Sequence, residues 1–115
     1  MPKSDTQGTG DCFEAAYMFV TSRSQGAPGR YTLVHGNVAT LSQRDSVNHA
    51  WVEEGDIVHE VSKGRHLQFL KTRYYELYGV KNVRQYSYEE ALNVALRTLH
   101  YGPWDEIGRD SESTA

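Results

Sequence analysis

The chain reads as a small α+β domain, and three observations carry that reading. Three stretches repeat apolar residues with helical spacing, Asp11 to about Gln25, Leu67 to Tyr78 and Ser87 to about His100. Between them lie short β-prone runs rich in Val, Tyr and Thr, separated by Gly-centred turns. The resulting order of helix, strands, helix, strand, helix is that of an α+β protein. At 115 residues the expectation is one domain over 1–115 with a single modest core. Residues 1–10 read as a polar leader and about 106–115 as a polar tail, fraying from Ser111 onward.

The first helix carries Cys12, Ala15, Ala16, Phe19 and Val20 on one stripe, and Gly26-Ala27-Pro28-Gly29 stops it. Asp11 is placed as its N-cap, with Glu14 three residues later where a capping-box acid belongs. Arg30 to Leu41 is β-prone, and Gly36-Asn37 interrupts it as a bulge or bend. Ser42 to Val47 reads as a polar connection. Val47–Glu53 and Ile57–Ser62 read as two strands around Glu54-Gly55-Asp56, a hairpin signal. Leu67, Leu70, Tyr74, Leu77 and Tyr78 have helical spacing, and Gly79 ends that segment. Lys81–Tyr86 reads as a strand. Ser87-Tyr88-Glu89-Glu90 is a second capping box, ahead of the stripe Ala91, Leu92, Ala95, Leu96 and Leu99. The His100-Tyr101-Gly102-Pro103-Trp104-Asp105 end is expected to cap that helix and pack back on the core.

Composition narrows the function classes. The apolar fraction is 38%, supplemented by eight tyrosines and two tryptophans that add buried area. A formal charge of −3 gives no electrostatic support to a nucleic-acid partner, and none is expected. No stretch approaches the ~18 apolar residues of a membrane span. The polar N-terminus has no signal-peptide apolar region. The single cysteine forms no internal disulfide, and a free thiol fits a cytoplasmic location. No phosphate-binding or dinucleotide motif occurs, since no strand precedes Gly8-Thr9-Gly10, and no cofactor is expected. Cys12 with His35, His49 or His59 lacks finger spacing, so no metal site is expected either.

The chemistry concentrates at Cys12. A thiol in the first turn of a helix lies against the positive end of the dipole, which favours thiolate. The alternative is a buried structural cysteine heading an apolar stripe. His49, opening a strand, is the candidate base. With Glu54-Gly55 as the two turn residues, Glu53 faces Asp56 and His49 faces Glu60 across the hairpin. A carboxylate there orients the imidazole and stabilises the imidazolium. Asp56 is the competing acid, but a turn position leaves it solvated. Gln7, in the loop before the helix, and the Cys12 backbone N–H are the candidate oxyanion-hole donors.

These residues carry a resemblance. Gly10-Asp11-Cys12 opening a helix, the string His49-Ala50-Trp51-Val52-Glu53 and an acid on the next strand resemble the papain-like superfamily in its transglutaminase-like branch. The histidine string is similar to that of transglutaminase-like proteins, of lasso-peptide leader peptidases and of papain-like glutamine deamidases. The resemblance spans roughly residues 7 to 64. Those families usually place Asp after the histidine, often followed by Pro, where Glu60-Val61-Ser62 stands here. The resemblance implies an α+β core in which Cys12 attacks an amide carbonyl and forms a thioester. The expected function is a peptidase or isopeptidase with Cys12 as nucleophile, His49 as general base and acid, and Glu60 as orienter, acting on a protein or peptide. Glutamine deamidation or transamidation uses the same acyl-enzyme. A non-catalytic protein-binding module of the same fold is the reading from a different class.

Overall fold

The computed structural model describes residues 9–27, 29–40 and 43–104. Gln7, the rest of the leader before Thr9, Leu41, Ser42 and the tail from Asp105 lie outside the described residues. Among the described residues the protein has three α-helices and one five-stranded antiparallel sheet, an α+β domain. The elements are α1 (Thr9–Arg23), β1 (Thr32–Thr40), β2 (Gln43–Glu54), β3 (Ile57–Glu60), a 3₁₀ turn (Ser62–Gly64), β4 (Leu67–Leu70), α2 (Lys71–Leu77), β5 (Lys81–Tyr86) and α3 (Tyr88–Thr98). The sheet order is β4-β3-β2-β1-β5.

The two faces of the sheet bury two separate cores, because strand side chains alternate. On one face Leu33, Ala50 and Val52 pack with Cys12, Phe13, Ala16 and Val20 of α1 and Ala91 and Val94 of α3. On the other, Val34, Val38, Trp51 and Val58 pack against Tyr74 of α2. Trp104 is fully buried against the first core, and its indole N–H donates to the His100 carbonyl at 3.0 Å. The chain after α3 therefore folds back as expected. Ser87 caps α3 with the full reciprocal box: its hydroxyl accepts from Glu90 N–H, and the Glu90 carboxylate accepts from Ser87 N–H.

Several boundaries differ from the sequence reading. Helix α1 begins at Thr9 rather than Asp11, so Asp11 lies inside its first turn and is not the N-cap. The Asp11 carboxylate instead accepts the backbone N–H of Lys63, tying the 3₁₀ turn to the start of α1. The segment read as a polar connection before Val47 extends β2 back to Gln43, in register with Thr40. Leu67–Leu70 is an edge strand paired to β3, and the helix starts only at Lys71. Leu67 and Leu70 fit helical spacing, but pairing with β3 overrides local periodicity. On α3 the buried positions are Ala91 and Val94, whereas Leu96 and Leu99 are exposed.

The interruption at Gly36-Asn37 is a register shift on the β5 side. His35 pairs Arg84 and Asn37 pairs Lys81, so β5 carries one residue more than β1 there, and Asn82 adopts φ 54°. On its other side β1 pairs β2 without a break from Thr32 to Val38, with Gly36 opposite His49, and the register shifts only between Val38 and Thr40. A Cβ at Gly36 would sit 2.9 Å from Trp51 Cη2 and 3.2 Å from the Lys81 carbonyl oxygen. Glycine there is a requirement of close packing beneath the Trp51 indole.

Candidate active site

The β2–β3 hairpin places the first two members of the site. Its ladder pairs Glu54 with Ile57, Glu53 with Val58 and Val52 with His59. Gly55-Asp56 are thus the two turn residues, not Glu54-Gly55. Gly55 takes φ 58°, a conformation that glycine adopts without penalty at the first position of such a turn. This one-residue displacement of the turn moves Glu60 from directly opposite His49 to the diagonal position, two residues along, in line with Trp51. A displacement of both strands by one residue each keeps His49, Trp51 and Glu60 on one face. The contact survives: His49 Nε2 lies 3.0 and 2.9 Å from the two Glu60 oxygens. A carboxylate only accepts, so Nε2 carries the proton and donates. Both side chains are half-buried, at 18% and 16% exposed. Asp56 is exposed in the turn, and its carbonyl oxygen accepts the Lys71 N–H at the start of α2.

With Nε2 taken by Glu60, Nδ1 is the ring nitrogen left for Cys12, to which the imidazole is also hydrogen-bonded. Cys12 belongs to the core on the α1 face, whereas His49 lies on the same side of β2 as Trp51, which belongs to the other core. Strand β3 ends at Glu60 and the 3₁₀ turn follows it. The Asp11 carboxylate, accepting the Lys63 N–H, docks the first turn of α1 onto that turn.

Burial on its own pulls the His49 imidazole down, but hydrogen bonds to Cys12 and Glu60 and the charges of both outweigh it. The net effect pushes it up to about 10 from the usual 6.5. The ring is therefore an imidazolium at neutral pH, the form that the adjacent Glu60 carboxylate stabilises. Cys12 is 2% exposed, so the free protein keeps its thiol covered.

The structure adds Tyr74 and Trp51 to this site. The Tyr74 hydroxyl donates to Glu60 Oε2 at 3.1 Å, and Trp51 packs between imidazole and phenol, its centroid 6.0 Å from the His49 ring and 5.4 Å from the Tyr74 ring. The alternation His49-Ala50-Trp51 already places Trp51 on the face of His49. A buried tyrosine needs a partner for its hydroxyl, but nothing local names Glu60 as that partner.

The other histidines lie elsewhere. His35 is fully buried among Phe13, Tyr86 and Trp104, with no hydrogen-bond partner for either ring nitrogen among the described residues. His59 donates from Nε2 to Glu54 Oε1 at 2.8 Å, and its Nδ1 is 2.8 Å from His66 Nε2. Among the described residues no cluster of three or more His, Cys, Asp or Glu is arranged to hold a metal ion, and no helix is long and apolar enough to cross a membrane. Compared with protein-family models, curated proteins and solved structures, the chain matches none.

Proposed function

We propose that this protein is a papain-like, transglutaminase-like cysteine enzyme that transfers an acyl group from an amide through a thioester. The observation that carries this reading is His49, hydrogen-bonded at once to the Cys12 thiol and, through Nε2, to the Glu60 carboxylate. A base held between a nucleophile and an orienting acid is the general layout of nucleophilic acyl transfer. Cys12 Sγ, whose proton rests on His49 Nδ1, attacks the carbonyl carbon, and the C–N bond breaks as His49 passes that Nδ1 proton to the leaving amine. Water then gives a proton back to His49 and adds to the thioester, and Sγ leaves. Glu60 holds Nε2–H throughout. The Cys12 backbone N–H in the first turn of α1 is a candidate oxyanion donor, as is Gln7.

Hydrolysis of a peptide or isopeptide bond in a cytoplasmic protein or peptide is the favoured reaction. Deamidation replaces the leaving amine by ammonia, and transamidation replaces water by an amine. The deep burial of Cys12 favours one further reading, a protein-binding module in which the thiol is structural.

Alkylation by iodoacetamide across pH separates these readings. An activated Cys12 reacts rapidly at about pH 6, and His49→Ala slows that reaction strongly while the alkaline rate is kept. A rate that rises only near the ordinary thiol value of about 8.5, and is indifferent to His49→Ala, rejects the enzyme reading.

A further inference from the structure

Glu60 receives its hydrogen bonds from two directions. His49 Nε2–H points between its two oxygens, at 3.0 and 2.9 Å. A single N–H that bisects a carboxylate leaves it free to turn about the axis of that bond, because each oxygen accepts equally well. The Tyr74 hydroxyl, 3.1 Å from Oε2 alone, breaks that equivalence. The phenol is itself immobilised. Tyr74 is 1% exposed, and its ring packs against Trp51 at 5.4 Å, Phe69 at 5.3 Å and Tyr78 at 4.9 Å. Helix α2, which carries it, is anchored to the hairpin by the Lys71 N–H on the Asp56 carbonyl and by Lys71 Nζ, 3.3 Å from Glu53. Burial first, then the charge and hydrogen bond of Glu60, hold the phenol far above the ordinary tyrosine range, so it remains a neutral donor.

We propose that Tyr74 is a positioning residue of the acyl-transfer site: its hydroxyl sets the plane of the Glu60 carboxylate and, through it, the His49 ring that presents Nδ1 to Cys12. This rests on the acyl-transfer reading above. It gives α2 a part in the chemistry through Glu60. The competing account is that Tyr74 fills the core and Glu60 merely satisfies its buried hydroxyl.

The test uses the full chain and iodoacetamide, with the rate at about pH 6 taken relative to that at about pH 10. Tyr74→Phe keeps the ring and removes the donor. The ratio is expected to fall about tenfold, the scale of one hydrogen bond to a charged group. Tyr78→Phe, altered in the ring that packs on Tyr74, leaves the ratio unchanged. Added to Glu60→Gln, Tyr74→Phe has no further effect, because a residue acting through Glu60 is not additive with it. An unchanged ratio in Tyr74→Phe, a full further loss on top of Glu60→Gln, or a Tyr74→Phe chain that does not fold each overturns the proposal in favour of the packing account. His49→Ala separates the two levels. If it leaves the wild-type ratio intact, the acyl-transfer reading itself fails. If it collapses the ratio and Tyr74→Phe does not, only the role of Tyr74 fails.

Discussion

Replacing Glu60 by Gln removes the charge and one of its two acceptor oxygens. At the Oε2 position an amide oxygen still accepts His49 Nε2–H and the Tyr74 hydroxyl, while at the Oε1 position, 3.0 Å from Nε2, an NH2 donor replaces the acceptor. Two unit charges about 4 Å apart exchange about 4 kcal/mol at an effective dielectric of about 20, or about three pH units. Partial exposure, 18% for His49 and 16% for Glu60, reduces this to about two units. The imidazole, held up at about 10 in the native protein, should therefore titrate about two units lower in Glu60→Gln. Nuclear magnetic resonance of the His49 ring protons against pH measures this directly. Stability follows with a definite sign. A histidine raised in the folded state contributes stability that is full below its unfolded value of about 6.5 and is lost as pH rises through the folded value. Urea midpoints of the wild type should fall between about pH 6.5 and 10 by more than those of Glu60→Gln. Asp56→Asn, in the exposed turn, serves as the control and should leave the titration unmoved. A His49 midpoint within half a unit or so of wild type in Glu60→Gln would refute the reasoning, since the charge would then not be what holds the ring protonated.

Two further predictions concern stability. His35 is fully buried with no hydrogen-bond partner for its ring nitrogens among the described residues, and desolvation, then the Arg84 charge, lower it to about 3. The unfolded chain takes up its proton first, so this residue destabilises the fold as pH falls from about 6.5 toward 3; His35→Phe should flatten that acid limb in urea midpoints compared at about pH 7 and 4.5, and an unchanged slope would show that His35 is not its source. Gly36→Ala puts a Cβ within 2.9 Å of Trp51 Cη2 and 3.2 Å of the Lys81 carbonyl oxygen. Overpacking of this kind costs about 1–3 kcal/mol, and a melting temperature equal to wild type would show that the indole yields freely.

Much of the site was legible because its parts are local. The Ser87 box that starts α3 is a pattern of four adjacent residues, and the structure forms it in full. Alternation puts His49 on a strand, and a Gly-centred turn brings the next strand beside it with Glu60 on the same face. These inferences survive a one-residue error in the turn because moving it shifts both strands together, so the facing residue changes and the face does not. The same tolerance explains why Cys12 stays in the first turn of α1 although the helix begins at Thr9.

Short-range signals were enough to specify α1 with its thiol, the hairpin with its histidine and acid, β5, and the capped α3. Long-range pairing makes Leu67–Leu70 an edge strand, because four residues fit either period and the hydrogen bonds of β3 settle the matter; this docking lies in the assembled fold. The assembled fold alone brought Cys12 to His49, because the start of α1 docks through Asp11 on the 3₁₀ turn that follows β3. It alone paired Tyr74 with Glu60, fourteen residues apart. Periodicity reports which face a side chain occupies, whereas the partner it finds there depends on where separate elements end and dock.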